Sequence, residues 1–175
     1  AVARKVLGQL PERVDIGASG SIIKNVKSVI VPNTDHLKGI PAAATAGIIA
    51  GDPDKELEVI ASVTKEQVEE MKEFLKKTPI SVEHVDNGLT FDIIVTLYKG
   101  DEYAKVRIAN YHTNIVLIEK NGEILEQTEV AGETEEGLTD RSLLNMKDIC
   151  DFINTVDVED IKPILKRQID YNWAI

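Results

Sequence analysis

Residues 91–128 read FDIIVTLYKGDEYAKVRIANYHTNIVLIEKNGEILEQT, and their pattern decides the fold. Phe91, Ile93, Val95 and Leu97 recur every second residue, and apolar alternation continues through 103–108 and 115–118, with a more polar strand at 123–127. Period two is the signature of strands with one buried face. Asp86-Asn87-Gly88, Lys99-Gly100-Asp101 and Asn121-Gly122 separate the runs. Asn and Gly accept positive φ, so these are turn signals, and the stretch from Ile80 to about Glu129 predicts an antiparallel β-meander.

Upstream of the meander the period changes. Thr64-Lys65-Glu66-Gln67 is a capping box, and Val68, Met71, Phe74 and Leu75 behind it mark one face of a helix over 65–77. Ile40-Pro41 opens AAATAGIIAG, whose small residues predict a buried, closely packed helix over 40–51, stopped at Gly51-Asp52-Pro53. Further strands are expected at 13–16, 26–31 and 57–63. The expected fold is α+β: an antiparallel or mixed sheet packed against the 40–51 and 65–77 helices.

Downstream, eight acids against one lysine fall between Glu119 and Asp140, beside Gly132 and Gly137. An acidic linker over 132–140 is expected there, after an α+β domain over 1–131. Residues 141–175 would form the start of an all-helical domain, with helices over 142–154 and from Val158 onward. The opening AVARKVL has helical spacing but no N-cap, and the last helix reaches Trp173 without a stop signal. Both ends therefore read as cut, and the chain as the middle of a longer protein.

Composition excludes several classes of function. Thirty Asp plus Glu against 20 Lys plus Arg give a net charge of -10, a poor match to polyanionic nucleic acid or an anionic membrane. No apolar run approaches the roughly 18–20 residues that span a bilayer, and no signal peptide opens the chain, so a cytoplasmic location is expected. Cys150 is the one cysteine, too few for a disulfide or a cluster built from this chain alone, and its spacing from Met146 and Ile153 reads as an inert core thiol. No metal ligand set is assigned.

Two groups of polar residues could meet a ligand. Gly17-Ala18-Ser19-Gly20-Ser21 follows a strand and could offer backbone amides and two hydroxyls, with Lys24 and Asn25 nearby. No acid lies between Asp15 and Asp35, so Lys24, Lys27 and Lys38 form a local cationic patch. The loop is neither a P-loop nor a Rossmann fingerprint, and a plain turn is the competing reading. Ser21-Ile22-Ile23-Lys24 matches S-x-x-K, but the companion motifs of acyl-enzyme catalysis are missing. Asn33 and Thr34 sit before the 40–51 helix in a similar cluster. His112, Thr113 and Asn114 interrupt two apolar strands, either as a bulge or as binding residues. The binding candidates are thus Ser19, Gly20, Ser21, Lys24, Asn25, Asn33, Thr34, His112, Thr113 and Asn114. No catalytic residue is assigned.

The segments SGSIIKNVKSVIVPNT (19–34), KGIPAAATAGIIAGDP (38–53) and DVEDIKPILKRQIDYNWAI (157–175) together resemble the middle of the iron–sulfur L-serine dehydratase (alpha-chain-like) and L-cysteine desulfidase family. That resemblance implies a parent lyase with a [4Fe–4S] cluster held by cysteines outside this chain, releasing pyruvate and ammonia. It also implies a fold like the serine-dehydratase beta or allosteric substrate-binding domain. This chain would then be inactive alone and hold the carboxylate of L-serine or L-cysteine, or an effector, with a homodimer compatible. The alternative is a non-catalytic regulatory or oligomerisation module.

Overall fold

A computed structural model describes residues 1–130 and 143–173, with only the backbone described at Glu56. The chain divides into two compact units, Ala1–Glu133 and Thr134–Ile175. The expected 132–140 linker and the helix start at Ser142 lie outside the described residues.

The first unit is α+β, as its sequence pattern requires. Its elements are α1 (Val2–Leu7), β1 (Arg13–Ala18), α2 (Gly20–Val26), α3 (Gly39–Ile49), a 3-10 turn (Pro53–Glu58), α4 (Lys65–Lys77), β2 (Ile80–His84), β3 (Asp92–Lys99), β4 (Glu102–Ala109), β5 (Ile115–Lys120) and β6 (Glu123–Gln127). The strands form one six-stranded sheet in the order β2-β1-β3-β4-β5-β6. β3 to β6 form the antiparallel meander. β1 runs parallel to β2 and antiparallel to β3, so the sheet is mixed. The turn at Asp86-Asn87-Gly88 therefore does not close a hairpin, because β1 occupies the place between β2 and β3.

Two expected strands are absent. Gly20–Val26 is helical, with Ile22, Ile23 and Val26 half-buried on one face and Ser21, Lys24 and Asn25 exposed. The β-branched residues that suggested a strand over 26–31 are overruled by this amphipathic spacing, and only Ile30 makes an isolated bridge, to Lys38. The run read as a strand over 57–63 begins in the 3-10 turn instead. Asp52 caps that turn by accepting a hydrogen bond from the Asp54 amide at 3.1 Å, and Pro53 at its start favours it.

α4 begins on the expected capping box: the Gln67 amide donates to Thr64 Oγ1 at 3.3 Å, and the Thr64 amide donates to Gln67 Oε1 at 3.0 Å. Val68, Met71 and Phe74 are its buried stripe. Met71 packs with Ala42 and Ala46 of α3 and with Val31. Gly39 opens α3 at φ +82°, and a Cβ there would lie 2.7 Å from the Lys27 carbonyl oxygen, so a side chain is excluded. α1, α3 and α4 contribute Ala3, Leu7, Ile40, Ile48 and Phe74 to the core that covers Val14, Ile16, Leu97, Ala104 and Val106 on the inner face of the sheet.

The second unit shows α5 (Met146–Thr155) and α6 (Val158–Trp173). Asn145 caps α5, its Oδ1 accepting from the Asp148 amide at 3.0 Å. Phe152, Ile153, Ile164, Ile169 and Trp173 are exposed. Cys150, expected as a buried thiol, is exposed as well, because neither helix has a covering layer among the described residues. No helix among the described residues is long and apolar enough to cross a membrane.

Candidate ligand cleft

The inner face of the sheet is not covered along its whole length. Between α3 and β3 to β5 lies a cleft of about 660 Å³, within the range of small-molecule sites. Its floor is Phe91, Ile93, Val95 and Leu97 from β3 and its approach, with Val106, Ile108 and Ile115 beside them. Period two puts these residues on one face. Ala43, Ala44, Gly47 and Ile48 of α3 form the roof, Ala1, Val2 and Ala3 at the start of α1 stand beside them, and Pro53, Leu57 and Val59 border it. The small residues on α3 keep the roof off the floor. Leu57 is 72% exposed, an unusual environment for a leucine next to an apolar cleft.

Among the described residues His112 and Thr113 are the only polar side chains in this lining, and no side chain of Lys, Arg, Asp or Glu takes part in it. Their position follows from the loop between β4 and β5. Asn110 takes φ +67°, its amide donates to the Phe91 carbonyl at 2.9 Å, and the Tyr111 amide donates to the Ala109 carbonyl at 2.8 Å. Asn114 closes the loop by donating from Nδ2 to the Ala109 carbonyl at 2.9 Å. The β4–β5 register shifts between Arg107 and Ile108. A bulge therefore exists here, and it carries the His112 ring to within 4.5 Å of the Phe91 ring, tilted by 48°.

The other sequence candidates stand elsewhere. Ser19 is buried and stitches β1 to β3: its Oγ donates to the Thr90 carbonyl at 2.7 Å, and its amide donates to the Asp92 carbonyl at 2.9 Å. Gly20, at the head of α2, is exposed, and a Cβ on it would lie 3.3 Å from His84 Nε2. Asn33 donates to the Ile60 carbonyl at 3.2 Å, and the buried Thr34 hydroxyl donates to the Val31 carbonyl at 2.7 Å. Ser19, Gly20, Ser21, Lys24, Asn25, Asn33, Thr34 and Asn114 do not line the cleft; His112 and Thr113 do. Sequence reasoning missed the aliphatic floor and the α3 roof. The alternation of Phe91, Ile93, Val95 and Leu97 and the small-residue run 42–47 were visible, but not the cleft between them.

The opposite face of the sheet has a shallower groove of about 350 Å³ over Gly17. Its polar groups bind one another: Asp15 accepts from Ser81 Oγ at 2.9 Å and pairs with Arg13 at 3.1 Å. Arg13 also lies 3.8 Å over the Tyr98 ring. At the end of that face Arg107 grips the fully buried Asp92 through two hydrogen bonds of 2.9 Å, and Asn87 bonds to the same carboxylate.

The whole chain is 52% identical to a UPF0597 protein of Desulfitobacterium hafniense and 42% identical to one of Lachnoclostridium phytofermentans. Ninety-eight per cent of it is 43% identical to a UPF0597 protein of Treponema denticola. The chain spans 41%, 42% and 40% of those three relatives, respectively. No family model matches the chain. No solved structure gives a significant match.

These relatives overturn the resemblance drawn from the three sequence segments. They match the chain from end to end under the UPF0597 name, and nothing in that name points to an iron–sulfur L-serine dehydratase or L-cysteine desulfidase. The lyase activity implied for the parent falls with the resemblance. Among the described residues Cys150 is an exposed thiol, and no group of three or more His, Cys, Asp or Glu residues could hold a metal ion.

Proposed function

We propose that the first unit is a small-molecule-binding module whose ligand occupies the cleft between α3 and the inner sheet face. The observation that carries this reading is the lining: an aliphatic cleft of about 660 Å³ whose polar side chains, His112 and Thr113, are adjacent residues. Apolar walls supply affinity through burial, and a few convergent polar groups fix orientation. A cytoplasmic setting suits the acidic composition and the solitary cysteine. L-Serine and L-cysteine remain ligands to test, although both are small and polar for such walls.

The test uses the 175-residue chain, labelled with ¹⁵N, and follows amide shifts as 1-octanol, indole, L-serine or L-cysteine is added. Saturable shifts confined to Gly47, Ile93, Ile108 and Thr113 are expected with at least one of the four. Ala44→Phe, which fills the cleft from its roof, should abolish them while the rest of the spectrum keeps its native dispersion. Shifts scattered over the surface, or none with any of the four, would remove the reading.

A further inference from the structure

We infer that the cleft takes a single aliphatic chain carrying an uncharged hydrogen-bonding head, such as an alcohol, amide or ester, with the head at His112 and Thr113. This assignment rests on the reading of the cleft as a ligand site and names what fits it.

Shape is the first argument. Phe91, Ile93, Val95 and Leu97 all line the cleft, and they are successive inward positions along β3. At about 3.3 Å per residue, the open floor from Phe91 to Val95 is about 13 Å long, and the fully buried Leu97 stops it. A slot of that length admits an extended chain. The roof over that floor is set mainly by the small Ala43, Ala44 and Gly47, with Ile48 the one larger α3 residue.

Polarity is graded along the same axis. The Leu97 end is closed by fully buried core, Leu97 and its cross-strand neighbour Ala104 both at 0% exposure. The opposite end meets the β4–β5 loop, where the His112 ring lies tilted against Phe91 and Thr113 adds its hydroxyl, and His112 and Thr113 are both exposed. An amphiphile lying along β3 therefore has one permitted polarity: tail toward Leu97, head toward His112.

Charge decides the head. Among the described residues no Lys, Arg, Asp or Glu side chain enters the lining, and burial lowers the pKa of the Ala1 amine beside Gly47 to about 6, so at neutral pH a carboxylate or ammonium drawn into the slot would lose hydration with little charge to replace it. A neutral head loses less and gains a donor and an acceptor. Flat aromatic ligands fit less well, because the floor is aliphatic apart from Phe91, whose ring already faces His112.

The experiment is a titration series on the full chain, followed by calorimetry and by the same amide shifts: 1-hexanol, 1-octanol and 1-decanol, then decanoate, decylamine and indole. Each added methylene should tighten Kd by about three- to fourfold, the worth of one buried methylene. Decanol should bind at least tenfold more tightly than decanoate or decylamine. Ala44→Phe should weaken decanol by tenfold or more. Ile93→Trp, which blocks the floor, supplies the same readout if Ala44→Phe does not fold. Thr113→Val should weaken decanol more than hexane-like probes that lack a head.

The failures are distinguishable. If indole or short alcohols shift the cleft amides but affinity does not grow with chain length, the ligand site stands and the chain assignment falls. Preference for decanoate or decylamine over decanol overturns the neutral head. If none of the six probes moves the cleft amides, both the site and the assignment fall, and the slot is a surface covered by other polypeptide.

Discussion

The two faces of one sheet handle polarity in opposite ways. On the outer face nearly every charged group near the centre meets another: Arg13 with Asp15, Lys105 with Glu119 at 3.5 Å, Arg107 with Asp92. On the inner face the chain lays down a continuous aliphatic floor and then covers only part of it. Satisfied polar groups have little left to offer a ligand, whereas uncovered apolar surface gains free energy from any matching cover. The uncovered part of the inner face is thus the reactive side of the sheet in the thermodynamic sense, though its lining is chemically inert.

The largest effect that could break this contrast lies at the buried end of the outer face. Asp92→Ala removes one partner of a pair whose carboxylate is fully buried and leaves the Arg107 side chain, only 26% exposed, without its counter-ion. Loss of about 3 kcal/mol in urea unfolding is expected, since orphaning a buried ion costs far more than an exposed pair contributes. A loss under 1 kcal/mol would show that the outer face does not depend on its ion pair.

The inner face should be graded by depth. Leu97→Ala, at a fully buried site, should cost about 3 kcal/mol, whereas Ile93→Ala, on the open stretch of floor, should cost roughly half of that. Equal costs in chemical denaturation would mean that the cleft is closed in solution. At exposed outer positions the effects shrink again: Arg13→Met gives up a solvent-screened pair, and a change within about 1 kcal/mol is expected by the same assay.

The smallest effect is a pH dependence. Tyr103 donates to Glu119 and, with the Lys105 ammonium nearby, holds the Glu119 carboxyl below its ordinary value of 4.5. A depressed folded-state pKa stabilises above the unfolded value and is lost as pH falls through the lower, folded one. Tm of the native chain should therefore drop more steeply below about pH 4.5 than that of Glu119→Gln, with a difference at neutral pH of about 1–3 °C. Parallel Tm curves would remove Glu119 from the account.

Local signals were the legible part of this protein. The capping box at Thr64 and Gln67, the stripe of Val68, Met71 and Phe74, and the alternation through 91–118 each express a rule that operates within a few residues. His112 and Thr113 also stood out locally, as polar residues between apolar strands. What could not be read was assembly: that β1 enters between β2 and β3, or that Ala43, Ala44 and Gly47 hang over Ile93 and Val95. Those contacts join segments far apart in sequence. The isoleucines and valines at 22–31 misled in the same way, because β-branched residues favour a strand only when a neighbouring strand is available. Ser19 looked like a ligand contact for its exposed-turn chemistry, and the fold uses its hydroxyl to tie Thr90 to β1.

The place of β1 in the sheet also sets an order of events during folding. Val14 is in register with Ile80 on one side and Leu97 on the other, so neither edge of this early strand has a partner until much later residues exist. β3 and β4, joined by a short turn, can zip together first. β1 must then slot into a gap flanked by a strand that arrives through three helices, a costly long-range closure. In pulse-labelled hydrogen exchange, amides of Val106 and Leu97 facing one another's strands should gain protection before those of β1, and newly made chains should stay protease-sensitive around 13–18 until residues near 100 have left the ribosome.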